Sequence, residues 1–178
     1  LKKHTFEGKK GQAFALSAMR NNTLVQFIFV GVGTLKDDNS TNIETLRRAM
    51  ATAVHTLKKL SIKNAIFALA DETPFDISQT ELLKHIAIAA LMSSYEFATF
   101  KTEKKKDAWA CQLQVAITEN VDKGVYQTAL DHATIIGTAI NHARLMADTP
   151  ANIMTPTAIA AEAQKVAEQY TLKHTIFG

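Results

Sequence analysis

One cysteine, Cys111, stands in 178 residues. It excludes an internal disulfide, and without a second cysteine there is no thiolate pair for zinc and no dithiol for redox exchange. Glycine and proline are scarce, seven and three residues, which removes collagen-like repeats, mucin-like stalks and Gly/Pro-rich disorder from consideration. The longest nearly unbroken apolar run, Ile86 to Met92, is far short of the roughly 20 residues a membrane helix needs. No membrane role follows from the pattern. Charge of one sign is also lacking, since 20 Lys plus Arg against 17 Asp plus Glu leave a formal +3. What remains is 47% hydrophobic residues, an ordinary globular composition. A domain of about 150 residues can bury roughly two thirds of its unfolded surface, so a sizeable core is available. A reducing, cytoplasmic setting fits the cysteine usage. The opening Leu1-Lys2-Lys3-His4 lacks the apolar core of a signal segment and reads as a cut start rather than a native one.

The chain alternates short apolar runs with amphipathic stretches. Gly8-Lys9-Lys10-Gly11 reads as a turn, Ala13 to Leu16 and Val25 to Val30 as strands separated by Arg20-Asn21-Asn22, and Gly31-Val32-Gly33 as a strand exit. The capping box Thr41-x-x-Glu44 opens a helix whose Ile43, Leu46, Met50, Val54, Leu57 and Leu60 recur at helical spacing, with Arg47, Arg48, Lys58 and Lys59 toward water. A strand follows over Ile62 to Leu69, then a loop from Asp71 to Ser78 containing Pro74. A second capping box, Ser78-x-x-Glu81, opens a largely buried helix to about Phe97. Trp109, Cys111, Leu113, Val115 and Ile117 alternate strictly with Ala110, Gln112, Gln114 and Ala116, the period-two mark of a strand with two different faces. A long helix runs from about Asp122 to Asp148, with Val125, Ala129, Ile136 and Ala139 as one apolar stripe widened by Ile135, Ile140 and Leu145. Thr157 to Tyr170 is helical, and Leu172 to Phe177 starts a further strand. Strands and helices in alternation imply an α/β fold with helices on the faces of a mostly parallel or mixed sheet.

No constellation in these residues carries chemistry. Gly31-Val32-Gly33 after a strand invites a phosphate-loop reading, but Lys36 occupies the place of the third glycine, so a glycine-permitted strand exit is the better account. The lysine groups Lys2-Lys3, Lys9-Lys10, Lys58-Lys59 and Lys104-Lys105-Lys106 are spread over turns and helix ends and read as solvated surface rather than a nucleic-acid stripe. None of the six histidines, His4, His55, His85, His132, His142 and His174, stands at metal-ligand spacing. Glu81 and His85 lie one helical turn apart and can pair on the helix surface. The sequence yields no catalytic, cofactor-binding or metal-ligating residue.

The most specific stretch is Asn141 to Pro156, a junction. Pro150 forces Thr149 out of the helical region, so the long helix must finish at about Asp148, while Thr155 can cap a new helix with Pro156 in its first position. The spacing of Arg144, Pro150, Asn152 and Pro156 resembles the junction into the catalytic domain of the leucyl (cytosol) aminopeptidases. Phe6-Glu7-Gly8-Lys9-Lys10-Gly11, Phe29-Val30-Gly31-Val32-Gly33, Leu46-Arg47-Arg48-Ala49 and the segment Tyr95 to Lys101 occur in that family's order as well.

The resemblance implies a macro-domain-like three-layer sandwich with a mixed sheet over 1–121, a connecting helix over 122–148 and the start of a truncated catalytic domain over 149–178. Members of the family are cytoplasmic hexamers that use two divalent metals, zinc or manganese, to activate water against the first peptide bond. Their Lys-Gly-x-Thr-Phe-Asp and Asn-Thr-Asp-Ala-Glu-Gly-Arg metal-binding segments are absent from these 178 residues. Arg144, Pro150, Asn152 and Pro156 therefore carry over as junction residues only. The chain is expected to be non-catalytic, to serve assembly or access to the active site, and to partner its own catalytic domain and further copies, with a peptide as the parent's substrate. DNA binding, known among some bacterial relatives, and nucleotide or ADP-ribose binding by a macro-like fold are the alternatives.

Overall fold

The computed structural model describes residues 6–69, 75–100, 109–117 and 122–177. In chain order these form β1 (Ala13–Arg20), β2 (Thr23–Val30), α1 (Asn39–Lys59), β3 (Asn64–Ala68), α2 (Gln79–Ser94), β4 (Gln112–Ala116), α3 (Lys123–Asp148) and α4 (Pro156–Gln169). The mixed α/β class expected from the sequence is what the chain adopts. A single mixed sheet is not seen among the described residues. Pairing is confined to two ladders, β1 with β2 antiparallel and β3 with β4 parallel.

β1 and β2 run on from the strands read in the sequence and close as a hairpin, with Ala13 opposite Val30 and Arg20 opposite Thr23. Its two-residue loop is Asn21-Asn22, both at positive φ (48° and 58°). That conformation matches the right-handed twist of the flanking strands, and asparagine tolerates it better than other side chains. In the parallel pair Asn64 faces Gln112 and Ala68 faces Ala116. The alternation over Trp109 to Ile117 holds throughout, odd positions half-buried and even positions exposed. Trp109 fixes the approach to β4 by donating its indole N–H to Ile62 O at 3.1 Å.

α1 starts at Asn39, two residues before the expected capping threonine, so Thr41 lies within the first turn. The Glu44 carboxylate instead bonds Arg48 at 2.8 Å, one turn onward. Entry to the helix is held by Asn42, which is buried and pairs with both backbone groups of Lys36 (Lys36 N to Oδ1 2.8 Å, Nδ2 to Lys36 O 2.6 Å). At α2 the expected cap is present: Ser78 Oγ accepts from Glu81 N at 3.2 Å. That helix stops at Ser94, three residues short of Phe97, where Ser93 and Ser94 bond back to Ala89 O and Leu91 O. Such back-bonding favours a helix end.

The core lies between α1 and α2 over the parallel pair. Met50 and Val54 of α1 meet Leu82, Ile86 and Ala89 of α2 and Leu69, with Phe67, Leu113, Val115 and Trp109 packed against them. Leu83 and Ile86 are fully enclosed. α3 buries only part of its apolar stripe. Its buried residues are Ala129, Ala133 and Gly137, while Val125, Ile135 and Ile136 are exposed. At Gly137 an added Cβ would stand 2.6 Å from Leu91 Cδ1, so the glycine is what lets α3 approach α2. Tyr126 seats the start of α3 by donating its hydroxyl to Gln79 Oε1.

By internal contacts the chain divides into two compact units, 1–138 and 139–178. In the second, α3 ends at Asp148 and α4 begins at Pro156, as the prolines dictate. The strand expected over Leu172 to Phe177 does not form; these residues pair with no strand among the described residues. Of the loop expected over Asp71 to Ser78, Asp71, Glu72, Thr73 and Pro74 lie outside the described residues.

Candidate functional site

The Gly31-Val32-Gly33 exit from β2 is occupied by the chain itself. Gly31 N donates to Gln12 O at 2.8 Å, Gly11 N to Gly31 O at 3.1 Å, and Gly33 N to Gly8 O at 2.9 Å. The Gly8 to Gly11 turn is in turn closed by Gln12, whose Oε1 accepts from Glu7 N and Lys9 N at 3.0 and 3.2 Å. A Cβ on Gly31 would fall 2.2 Å from Lys9 O and 2.4 Å from Gly8 C. The glycines thus allow two backbones to touch. A phosphate loop would present those N–H groups to a ligand instead.

Between α1 and α2 the structure builds a polar cluster that sequence spacing shows only in part. His85 Nε2 lies 3.7 Å from Glu81 Oε1, the pair expected at one helical turn. The closer partner is Arg47, 38 residues away on α1, whose Nη2 stands 2.9 Å from His85 Nδ1. A guanidinium has only donors, so Nδ1 carries the lone pair and the ring is neutral with its proton toward Glu81. Burial, then the Arg47 charge, hold the imidazole below its ordinary pKa, while Glu81 opposes them in part. Glu81 itself is held low chiefly by its hydrogen bond to Lys84 at 3.0 Å. The cluster ties two helices together and has the partners of a structural clasp. No signal in the sequence joins Arg47 to His85, because the contact exists only once α1 and α2 pack.

In the second unit Thr155 Oγ1 accepts from Ala158 N at 3.3 Å and Pro156 takes the first helical position. The residues between are pinned by Pro150 O, which accepts from Ile153 N and Met154 N, each at 2.9 Å. Arg144 lies on the last turns of α3 with Nη1 3.4 Å from Asn141 Oδ1, and Asn152 is exposed in the turn. Arg144, Pro150, Asn152 and Pro156 therefore stand along one helix-turn-helix. His142 approaches Glu162 at 4.0 Å, and Glu162 is held low mainly by its hydrogen bond to Lys165.

No three His, Cys, Asp or Glu side chains are grouped to hold a metal ion among the described residues. Divalent metals of the kind the resemblance implies do not fit here. Of the lysines, Lys9 pairs with Glu7, Lys58 with Glu96 at 2.5 Å and Lys84 with Glu81. Several of them are thus matched by carboxylates rather than arrayed in one stripe. Lys2-Lys3 and Lys104-Lys105-Lys106 lie outside the described residues. No helix among the described residues is long and apolar enough to cross a membrane.

The pattern of the cytosol aminopeptidase family, N-terminal domain, matches residues 1–104. The chain belongs to the cytosol aminopeptidase family. It is 30% identical over 173 residues to a probable cytosol aminopeptidase of Buchnera aphidicola subsp. Schizaphis graminum, covering 96% of this chain and 33% of the relative. To the probable cytosol aminopeptidase of Aquifex aeolicus it is 26% identical over 172 residues, 97% of this chain and 32% of that protein. The chain thus spans about a third of the length of these cytosol aminopeptidases. Among solved structures a tomato leucine aminopeptidase mutant superposes with a TM-score of 0.72 at 24% identity, over 93% of this chain and 31% of its own. The bottromycin maturation enzyme BotP gives 0.73 at 20% identity, over 94% and 33%, and BotP is also known in complex with Mn. At these identities the two superpositions speak for the fold.

Proposed function

We propose that this chain is the non-catalytic amino-terminal part of a metal-dependent leucyl aminopeptidase that removes amino-terminal residues from peptides. The carrying observation is that a family pattern described as the N-terminal domain covers residues 1–104, while the whole chain reaches only about a third of its relatives' length. The parent's two divalent metals, zinc or manganese, then belong to ligands outside this chain, since no donor cluster suits them among the described residues. Residues 1–121 serve as the amino-terminal domain, 122–148 as the connecting helix and 149–178 as the entry to the catalytic domain. The exposed Val125, Ile135 and Ile136 of α3 supply apolar surface for that domain or for further copies in an oligomer, a hexamer by family resemblance. A cytoplasmic location agrees with the family's name and the single cysteine.

Neither DNA binding nor nucleotide binding is favoured. The glycine exit is closed by backbone, and several described lysines are paired with carboxylates. The test is to express the whole protein that carries this chain and assay release of leucine from a leucyl reporter. Hydrolysis that chelation abolishes and manganese or zinc restores is the expected result. A purified, folded whole protein that cleaves no leucyl or other aminoacyl reporter with either metal contradicts the reading.

A further inference from the structure

The first unit contains a half-open cleft of about 440 Å³ lined by residues of β4 and its approach and of the helices α1, α2 and α3. Its lining includes the alternating face read in the sequence, Trp109, Cys111, Leu113 and Val115, and the buried Leu83 and Ile86 of α2. From α3 the lining takes Leu130 and Thr134.

We propose that this cleft binds a small neutral apolar molecule, a mono- or bicyclic aromatic or a branched hydrocarbon carrying at most one hydrogen-bond donor. Ligand pockets typically measure about 300–1,000 Å³ and are mostly apolar, and an apolar cavity of only about 150 Å³ suffices for benzene. Among the described residues no charged side chain lines the space, so a charged ligand would lose hydration there without compensation from them. Its polar lining groups specify the rest. Ser94 and Thr134 hydroxyls already donate to Leu91 O and Leu130 O, each at 2.8 Å, and keep only acceptor lone pairs for an occupant. An N–H or O–H on the occupant can donate to either oxygen. Cys111 lines the same wall, and burial pushes its thiol above the ordinary value, so it too is neutral.

Indole is a suitable probe, with benzoate as the charged control. In ¹H–¹⁵N spectra of the 178-residue chain, indole is expected to shift resonances clustered around the cleft, and benzoate to shift none of them. Cys111 is the chain's one thiol, so its alkylation by N-ethylmaleimide gives a second readout. At an indole concentration ten times the dissociation constant it should slow by roughly tenfold, as mass action requires. Filling the space with Ala90→Leu, or independently from another helix with Thr134→Leu, should abolish both effects. Shifts scattered over the surface, alkylation unchanged by saturating indole, or undiminished protection in whichever filled variant folds would overturn the proposal.

Discussion

Gly31 and His85 show how much a single position carries in this chain. A methyl group on Gly31 would overlap Lys9 O and Gly8 C at 2.2 and 2.4 Å, and those are backbone atoms that cannot rotate aside. Gly31→Ala should lower unfolding free energy by about 1–3 kcal/mol, the usual range for overpacking, measured by urea titration. An unchanged midpoint and slope would mean that the two backbones do not meet as described. His85 makes a pH prediction. Its folded pKa lies below the ordinary 6.5, so the unfolded state binds the proton more readily and the native state favours the neutral ring. The stability this contributes is fully present above about pH 6.5 and is lost as pH falls through the lowered folded value. His85→Gln retains an acceptor for Arg47 and cannot titrate. Unfolding free energies at pH 7.5 and 5.5 should differ less in this variant than in the parent chain, and an equal difference would remove His85 as the source. The low-lying carboxylates Glu44 and Glu81 act in a separate, more acidic window, since each is held below its ordinary 4.5.

At the scale of elements, local chemistry was legible and non-local pairing was not. Pro150 and Pro156 dictate where α3 ends and α4 begins, and Ser78 caps α2, because each acts within a turn of its own position. The β4 alternation was equally readable, since side-chain direction along a strand follows from its pleat. Which residues of α3 are buried does not follow from the pattern, for a physical reason. Isoleucines dominate it, yet Ala129, Ala133 and Gly137 are the buried residues, and at Gly137 α2 stands too close for anything larger. That closeness is testable. Gly137→Ala would ordinarily strengthen a helix by about 1 kcal/mol, but here the new methyl meets Leu91 at 2.6 Å. A net loss of stability is expected, relieved when Leu91→Ala is added, so that the double-mutant cycle shows a favourable coupling. A stabilising Gly137→Ala would mean that α3 and α2 are further apart. The hairpin turn and the Arg47–His85 contact belong to the same lesson. Asn21-Asn22 signals a turn, but neither the length of β1 and β2 nor a bond between residues 38 apart follows from spacing.

For the whole molecule, the α/β class and the family were legible in ordered short segments, and the strand pairing was not, because a ladder's partner is chosen by packing rather than by the strand's own residues. Surface patterns lead from fold to function. Ile66 on β3, Phe27 and Phe29 on β2, and Ile135 on α3 all leave large apolar side chains in solvent. A domain that spans about a third of its relatives' length has this character if its remaining surface belongs to the rest of the protein. The central proposal, that this chain is the non-catalytic part of a metal-dependent aminopeptidase, is tested most directly by assaying the purified 178 residues beside the whole protein with a leucyl reporter and added manganese or zinc. The account predicts hydrolysis by the whole protein and none above background by the chain; metal-dependent release of leucine by the chain alone would contradict it.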